Sequence, residues 1–558
     1  MVRATFSGFN TALSALQANQ KRLDITGQNL SNMNTAGYTR QQLEASSLNY
    51  TNPVSHYSNG NETAVGFGVS MDRVSQIRDP YLDIQYRSQS ADCSYTNRLQ
   101  TALNSLSKVL DETTISGIRQ AFDDIQSTLT SMQDPAKVSD PIYESELRTK
   151  MQSVCNLFNQ ASRQITQAEQ NEFQRLTGEG SSEQGDVQKI NDILRQIGDL
   201  NVQIKRNQVA GHPSLELQDE RNLLLDELSG YIPVETRYYK DDAHSGNNAY
   251  DYDANGAVIG KKDWPDDLEV SMNYIDAQGK SQKLILVNGS DLGADGLTKN
   301  YGQLSVLKGD HQTAASVSDP ANISIKFEKA PSYKGNGQAA ADVYAELKGI
   351  HFEGGSLQAS LDMLQKTGTG NVINGSTAVD DVRGYQYYSE KLDQLASTFA
   401  NSMNDINNNG KNPKDQNLLS NSTNDSTTGI TAGNIGISKG WTSGTVHIST
   451  NGTNRTDTIL DMIAAMKDTK KLNGKTFADY MNNLSTQLAS DSSSNQTALK
   501  TGTTVLNSIQ DSRDSLSGVS LDEEATNMMA YVSAYNAASR LMTALDEVLN
   551  TLISNTGA

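Results

Sequence analysis

Apolar positions at both ends of the chain recur in alternating steps of three and four residues. This spacing places them on one face of an α-helix and is typical of a coiled-coil seam. Because an isolated helix with an apolar stripe is marginal in water, we expect the two ends to pair and to become ordered on assembly. The first seam contains Phe6, Phe9, Leu13, Leu16, Leu23 and Leu30. The last contains Met528, Tyr531, Tyr535, Met542, Leu545, Leu549 and Leu552.

Polar signals bound both terminal helices. The stretch GQNLSNMNTAGYTR, Gly27 to Arg40, is rich in asparagine and contains Gly37, and both residue types accept left-handed backbone angles that end a helix. Ser520 followed by Glu523 has the spacing of a capping box at the start of the last helix. Asp522 adds negative charge to the first turn, where the helix dipole favours it.

Four further seams lie between these ends, and they predict an elongated helical bundle. Their spacing is again three and four residues, so we expect each to face the bundle core. The four sets are Ile118, Phe122, Ile125, Leu129 and Met132; Leu147, Met151, Val154, Phe158, Ala161, Ile165 and Ala168; Val187, Ile190, Leu194, Ile197 and Ile204; and Tyr385, Tyr388, Leu392, Leu395, Phe399 and Ile406.

Two interruptions of the helical pattern predict β structure. Between about residues 231 and 355 the runs DLEVSMNYIDAQG, QKLILVNGS and ISIKFEKA indicate strands separated by Gly/Asn turns. A second interruption, residues 411–454, contains the strand-like piece GTVHIST. Unstructured loops of this length are uncommon in a compact domain, so each interruption is expected to be an inserted module.

These patterns together predict a mainly α fold with inserted β domains. We expect a terminal coiled-coil domain made of residues 1–60 and 520–558. A helical stem would contain residues 61–230, 356–410 and 455–519. The remaining segments would form a β-rich outer domain, 231–355, and a small β-rich insert or flap, 411–454.

Charge and hydropathy exclude several classes of partner. The formal net charge of the 558-residue chain is −19, and no dense Lys/Arg cluster interrupts the acidity. Nucleic acid and anionic membranes both require a basic surface. No apolar run approaches membrane-spanning length, and the polar start is unlike a signal peptide. We therefore expect a cytoplasmic protein or one exported without cleavage of the N-terminus.

No recognisable catalytic, cofactor or metal motif occurs. Cys93 and Cys155 are expected to be buried reduced thiols, and the six histidines are isolated from one another. The stretch DYDANGAVI resembles the start of an EF-hand loop, but Lys262 occupies the position of the bidentate glutamate, so a β-turn is favoured. Nucleophile-elbow and phosphate-loop patterns are missing, which makes an enzyme the weakest interpretation.

The two terminal motifs resemble those of the bacterial flagellar rod, hook and hook-associated protein family. NLSNMNTAGYTR carries the N-terminal motif, and SGVSLDEEATNMM carries the C-terminal one. Internal stretches, including SMQDPAKVSD, DERNLLLDELS and GGSLQAS, are similar to the hook-associated protein 1 branch of that family. The motif residues are Asn29, Asn32, Asn34, Gly37, Tyr38, Ser520, Asp522 and Glu523.

This resemblance implies a structural component of the flagellum at the junction between hook and filament. It implies helical self-assembly in a tubular lattice through the terminal helices, with the hook protein and a second junction protein as neighbours. It also implies export through the flagellar apparatus without signal-peptide cleavage, an export chaperone on the C-terminal helix, and no nucleic acid or membrane insertion. The alternative is a secreted surface adhesin whose binding module is formed by the β inserts.

Overall fold

The structure is a computed structural model with thirteen helices and seventeen strands among the residues it describes. The described residues are 3–48, 68–110, 112–138, 140–210, 212–240, 250–252, 258–261, 266–275, 280–289, 299–309, 313–328, 333–334, 338–339, 344–345, 351–368, 372–373, 376–377, 382–408, 416–450 and 456–556. The helices are α1 (Arg3–Asn32), α2 (Pro80–Val109), α3 (Glu112–Ser131), α4 (Pro135–Val138), α5 (Pro141–Thr177), α6 (Asp186–Val209), α7 (Leu215–Tyr231), α8 (Ser356–Gln365), α9 (Tyr385–Asn408), α10 (Lys439–Ser443), α11 (Asp457–Lys467), α12 (Phe477–Ser517) and α13 (Leu521–Thr556).

The strands are short and pair in small antiparallel sheets. They are β1 (Gln41–Ser47), β2 (Val69–Gln76), β3 (Glu235–Lys240), β4 (Tyr250–Tyr252), β5 (Val258–Lys261), β6 (Asp266–Ile275), β7 (Ser281–Asn288), β8 (Gln303–Lys308), β9 (Ile323–Glu328), β10 (Tyr333–Lys334), β11 (Gln338–Ala339), β12 (Tyr344–Ala345), β13 (His351–Phe352), β14 (Val372–Ile373), β15 (Ser376–Thr377), β16 (Leu419–Asn421) and β17 (Ile435–Ile437). The chain is therefore mainly α with inserted β sheets, which confirms the predicted fold class.

The predicted seams form the core of the helical stem. Nearly every apolar residue of the four sets is buried, and they belong to one continuous cluster. Phe122 is at its centre, with its ring centroid 6.0 Å from Phe158, 5.2 Å from Phe399 and 5.6 Å from Phe477. Helices α3, α5, α9 and α12 are held together by this aromatic contact.

Two stem helices begin at the same kind of cap. Asp79 precedes Pro80 of α2, and its side chain accepts a hydrogen bond from Tyr81 N. Asp140 precedes Pro141 of α5 and accepts from Ile142 N. An aspartate at the N-cap followed by proline at the first helical position satisfies one free N–H and removes another.

A long antiparallel pair, α2 and α12, connects the stem core with the terminal helices. Polar side chains join the pair along its length. Gln100 Nε2 donates to Ser492 Oγ at 2.8 Å, and Asn495 Nδ2 donates to Gln100 Oε1 at 2.9 Å. Further along, Cys93 Sγ is 3.4 Å from Thr503 Oγ1. The terminal helices are thus connected to the stem through the polar contacts of the α2–α12 pair and not through the apolar core.

The outer β region packs directly on the stem. Strand β6 pairs with β3, β7 and β13, and a second sheet has the order β12, β9, β8. The three strands predicted from sequence correspond to β6, β7 and β9. Leu268, Leu286 and Phe327 belong to the same buried cluster as the stem helices. Asn201 of α6 fixes the sheet, because its Nδ2 donates to Leu268 O at 3.2 Å and to Gly289 O at 3.1 Å.

Within the segment 411–454, expected to be a small β-rich insert or flap, the structure describes residues 416–450. A two-stranded sheet, β16 with β17, is present, but the insert is fastened to the stem. Trp441 is fully buried, and its Nε1 donates to Glu144 of α5 at 2.8 Å. The piece GTVHIST is not a strand. Its alternation reflects Val446 and Ile448, which are buried against the stem.

The expected domain boundary after residue 60 and the EF-hand-like stretch can also be compared with the structure. A hairpin of β1 and β2, which pairs Gln41 with Gln76, was not predicted and spans the expected domain boundary after residue 60. The EF-hand-like stretch is flanked by the paired strands β4 and β5, but residues 253–257 lie outside the described part of the chain.

Truncation of the central aromatic residue is expected to destabilise the stem. Phe122→Ala should lower the free energy of unfolding by about 3 to 5 kcal/mol, because it removes buried contacts and leaves a cavity. The matched control is Ile142→Ala, since Ile142 is 72% exposed on α5 and should change stability by less than about 0.5 kcal/mol. Urea unfolding monitored by circular dichroism measures both, and equal effects would contradict this description of the core.

Candidate assembly site

The polar turn after α1 is closed by the buried side chain of Asn29. Its Nδ2 donates to Gln41 O at 3.0 Å, and its Oδ1 accepts from Gln41 N at 3.0 Å. The Tyr38 hydroxyl donates to the same Oδ1 at 2.9 Å. Burial, with the negative charge of Asp219 next in importance, raises the pKa of Tyr38, so this hydroxyl stays protonated and remains a donor. Asn29 therefore joins the end of α1 to the start of β1.

The other N-terminal motif residues shape the turn. Asn32 Nδ2 donates to Gln28 O at 3.0 Å, and its carbonyl accepts from Thr35 N at 2.9 Å. Gly37 has a φ of 77°, in the left-handed region that glycine favours. Asn34 is exposed at the tip. The turn thus ends α1 as the sequence predicted.

Arg40 joins the two ends of the chain. Its backbone N–H donates to Ser517 O at 2.9 Å, where α12 ends. Its Nε is 2.8 Å from Glu524 Oε1, and its Nη1 is 2.7 Å from Glu523 Oε2, both on the first turn of α13. The Glu524 side chain is 2% exposed and that of Glu523 is 62% exposed. The contact with Glu524 is therefore the one that water screens least.

The expected capping box is not formed at α13. Ser520 precedes the helix, and its carbonyl accepts from Glu524 N at 3.0 Å. The Glu523 carboxylate is bound by Arg40 and does not return to the backbone of Ser520. Asp522 lies in the first turn as predicted. The C-terminal motif therefore serves the contact between chain ends more than the helix cap.

Thr39 attaches the same turn to the stem. Asp219 of α7 accepts from Thr39 Oγ1 at 2.6 Å and from Thr39 N at 3.1 Å. Arg78 Nη1 lies 3.9 Å from Asp219 Oδ1. Burial raises the pKa of Asp219 to about 6, although the bonds from Thr39 and the charge of Arg78 act in the opposite direction.

Arg513 completes the corner from α12. Its Nε is 3.1 Å from Asp83 Oδ1, and its Nη2 is 2.7 Å from Asp226 Oδ2. The guanidinium also lies over the ring of Tyr86, 4.2 Å from the centroid. Arg87 reaches the other oxygen of Asp226 at 2.8 Å. We call residues Thr39, Arg40, Arg78, Asp83, Arg87, Asp219, Asp226, Arg513, Glu523 and Glu524 the corner network.

The terminal helices run antiparallel and in contact. A Cβ added at Gly8 would lie 3.4 Å from Leu545, and the Arg22 guanidinium lies 5.7 Å from the ring centroid of Tyr531. Most of the predicted seam is only half-buried: Phe9, Leu16, Leu23, Leu30, Met528, Tyr531, Met542, Leu545 and Leu549. The side chain of Phe6 lies outside the described residues.

Part of the predicted seam is exposed. Leu13 is 47% exposed and Leu552 is 51% exposed, and Tyr535 is also classed with the exposed side chains. On α1 the fully buried positions include Ala12, Ala18, Ile25, Thr26 and Asn29. The reason is the hairpin, which packs on α1: Val69 N of β2 donates to Ser14 Oγ at 3.2 Å. It covers a face of small residues that the heptad pattern did not identify.

Helix α13 has apolar surface beyond its contact with α1. Met529 is 66% exposed, and four further aliphatic side chains are also exposed: Val532, Leu541, Val548 and Ile553. The fully buried residues of α13 are Glu524, in the corner network, and Ala538. At about 100° per residue, Leu541 and Val548 lie on one side of the contact with α1 and Val532 lies on the other, so exposed apolar side chains extend the seam at both edges.

Sequence reasoning missed the residues that carry the corner network. Arg40 was inside the quoted N-terminal stretch but was assigned no role, and Glu524 was expected only to add negative charge to the first turn of α13. Asp219, the first residue of the stretch DERNLLLDELS, was assigned no role and is buried. An acidic triplet at a helix start together with an arginine after the N-terminal turn is a signal for such pairing, although the partners are hundreds of residues apart.

Other kinds of site are not found in the described part of the chain. It has no cluster of three or more His, Cys, Asp or Glu side chains suited to a metal ion. None of its described helices has the length and apolarity needed to cross a membrane. Cys93 and Cys155 are both free and buried, as predicted, and burial raises the pKa of Cys155 to about 12, so that thiol is protonated and inert at neutral pH.

Three family models match the chain. The model described as the helical domain of flagellar hook-associated protein FlgK matches residues 103–418, more than half of the sequence. The model for the flagella basal body rod protein matches residues 9–39. The model for the C-terminal part of the flagellar basal body rod FlgEFG proteins matches residues 512–555. The last two ranges coincide with α1, its turn and α13.

Individual proteins give a consistent comparison. Flagellar hook-associated protein 1 of Bacillus subtilis is 28% identical over 99% of this chain and 99% of its own length. The protein of the same name from Salmonella typhimurium is 29% identical over 40% of this chain and 38% of that relative. A solved structure of the flagellar hook junction protein FlgK from Burkholderia pseudomallei has a TM-score of 0.36 and 18% identity, covering 61% of this chain and 44% of that one.

The Arg40 contact is expected to contribute measurably to stability. Arg40→Ala should lower the free energy of unfolding by about 2 kcal/mol, because it leaves the Glu524 carboxylate buried without its cation. Arg73→Ala is the matched control: it removes an exposed pair with Glu44 on the hairpin and should have a much smaller effect on stability. A double-mutant cycle with Glu524→Gln measures the coupling, and additive effects would show that Arg40 and Glu524 do not interact.

The raised pKa of Asp219 predicts a pH dependence of stability. The pKa of Asp219 is about 6 in the folded state and near the ordinary aspartate value of 3.8 in the unfolded chain, so this group favours folding increasingly as pH falls through 6. Relative to Asp219→Asn, the wild-type chain should gain about 1 kcal/mol of stability between pH 7.5 and pH 5. Urea unfolding of both proteins at the two pH values measures this difference. A constant difference, or a gain on raising the pH, would refute the assignment.

Proposed function

This chain belongs to the family of flagellar hook-associated protein FlgK, and from that premise we propose that it is a structural subunit of the bacterial flagellum. It forms the junction between hook and filament by helical self-assembly through its terminal helices. The observation that carries the proposal is the antiparallel pair of α1 and α13, whose seam is half-exposed and which leaves further apolar side chains of α13 exposed. The two family models for rod proteins match these same segments.

Assembly follows from the energetics of the terminal pair. One partner helix covers only the middle of an apolar stripe and leaves its edges exposed. Much of the apolar surface of α13 therefore remains in water in a single copy. Burial of apolar surface yields about 25 cal/mol per Å², so contact with neighbouring copies stabilises the helices. Order in this region is then supplied by mass action: neighbours bind the helical state and not the unfolded one.

The partners are proposed in the same terms. Copies of the chain in a tubular lattice cover the seam residues, among them Leu545 and Leu549. The hook protein lies on one side of this ring and a second junction protein on the other. The support is that α1 and α13 match models of basal-body rod proteins, so similar terminal segments can share one lattice.

The proposal extends to export and location. The protein reaches the outside of the cell through the flagellar export apparatus without signal-peptide cleavage, and α1 is retained there because it pairs with α13. Before assembly, an export chaperone covers the exposed apolar face of α13. The protein is then extracellular, at the junction of hook and filament.

The division into functional regions is also a proposal. The terminal domain lies innermost, the helical stem outside it, and the sheets of residues 231–355 outermost. The corner network connects the first two regions, since it contains residues of the N-terminal turn, α2, α7, α12 and α13. The insert at residues 411–454 is part of the stem, because Trp441 is buried there and bonded to Glu144.

The two rival functions lack comparable support. The relatives reported above are named as flagellar proteins, and none of them is named as an adhesin. They are structural components of the flagellum, and we propose that this chain is likewise not an enzyme.

A charged residue in the seam is expected to prevent assembly. Leu545→Asp should abolish incorporation and leave the stem folded, because the site contacts α1 and not the core. Leu549→Asp should behave in the same way. The matched control is Asn550→Asp, an exposed position on the same helix, which should assemble normally.

Electron microscopy of a deletion strain that expresses each variant measures incorporation. We expect hooks without filaments, and flagellin in the medium, for the deletion and for Leu545→Asp. Normal filaments with Leu545→Asp would show that the seam between the terminal helices is not the assembly interface. A deletion strain with normal filaments would refute the function itself.

A further inference from the structure

A polar cleft lies between α5 and the β16–β17 hairpin, away from the corner network. Its volume is about 390 Å³, near the lower end of the range for ligand-binding pockets. One wall is a face of α5, and the other is the hairpin with the start of α10. Its lining is dominated by amide, hydroxyl and charged side chains, so it suits a polar occupant.

The α5 wall presents a regular row of donors and acceptors. Gln152, Asn156, Gln160 and Arg163 follow one another in steps of four, four and three residues, which places them on one helix face. Gln152 Nε2 donates to Asn156 Oδ1 at 2.9 Å, so part of the row is held in place.

The opposite wall is rigid. Asn159 Nδ2 of α5 donates to Ile435 O at 2.8 Å, which fastens the hairpin to the helix. Ser420 Oγ donates to Asp425 Oδ1 at 2.7 Å, and Lys439 N donates to the same oxygen at 3.1 Å. The cleft is therefore built by hydrogen bonds between its walls and within the hairpin.

The charge of the cleft is opposite to that of the chain. Asp425 is the carboxylate in its lining, and the hydrogen bond from Ser420 lowers the pKa of Asp425. Lys439 acts on Asp425, since its positive charge helps to lower the pKa of that carboxylate, whereas Arg163 forms no ion pair with any other residue that the structure describes. Two cations and one engaged carboxylate leave a local excess of positive charge on a protein whose formal net charge is −19.

We propose that this cleft is a docking site for a carboxylate-bearing segment of a neighbouring copy of the chain. The inference rests on the proposed assembly and identifies a second contact between copies, outside the terminal helices. A carboxylate of the neighbour accepts two parallel hydrogen bonds from the Arg163 guanidinium and approaches Lys439. The amides of Gln152, Asn156 and Gln160 then contact the polar backbone around it.

Photo-crosslinking in assembled flagella tests the proposal on the full chain. Gln160→p-benzoylphenylalanine places the probe in the cleft, and Val548→p-benzoylphenylalanine places it on the exposed face of α13. We expect the probe at residue 160 to join a peptide rich in Asp or Glu from a second copy, as identified by mass spectrometry. Arg163→Glu with Lys439→Glu should reduce this product at least fivefold. Arg119→Glu, an exposed charge reversal elsewhere on the stem, should leave it unchanged.

The two probes separate failure of the inference from failure of the function. If residue 548 crosslinks to another copy and residue 160 does not, the cleft is not a contact but the assembly stands. The same conclusion follows if residue 160 joins a different protein or if charge reversal has no effect on its product. If neither probe joins a second copy, both the cleft contact and the proposed self-assembly are refuted.

Discussion

A pair of helices can cover only one face of each partner, and the terminal region of this chain is built on that constraint. Helix α1 obtains two covers, because α13 lies on one side and the β1–β2 hairpin on another. Among the described residues, helix α13 is covered by α1 along its length and by Arg40 at its first turn, and Met529, Leu541 and Val548 remain exposed. The surplus apolar surface is tolerable in one copy and becomes favourable when copies meet. Self-assembly is therefore driven by apolar surface that the terminal helices cannot bury within one copy.

The corner network fixes the position of the α1–α13 pair relative to the stem. Arg40 binds the first turn of α13, Thr39 binds Asp219 of the stem, and Arg513 joins α12 to both α2 and α7. These bonds determine where the pair leaves the stem. Removing one partner of such a buried pair is costly because it leaves the other charge uncompensated, but the intact pair contributes more to geometry than to net stability. The apolar core of the stem, centred on Phe122, supplies the stability on which the corner depends.

The helical stem could be predicted from sequence because local periodicity and burial agree there, as in the buried set from Ile118 to Met132. The corner could not, because Arg40 and Glu524 are joined across 484 positions and no local pattern links them. The hairpin was missed because its first strand, QQLEASS, has few apolar residues to alternate. The attachment of the second insert to the stem could not be predicted either, because Trp441 and its partner Glu144 are 297 positions apart in the sequence. Leu13 was assigned to the seam by spacing alone, and the hairpin shifts the buried face of α1 away from it.

Hydrogen exchange followed by mass spectrometry on the isolated monomer, compared with assembled flagella, tests the central claim most directly. The account predicts fast exchange of residues 10–30 and 528–552 in the monomer, slow exchange in the stem, and strong protection of both terminal segments only after assembly. Protection of the terminal helices in the monomer equal to that of the stem would contradict it, because the pair would then be complete without neighbours.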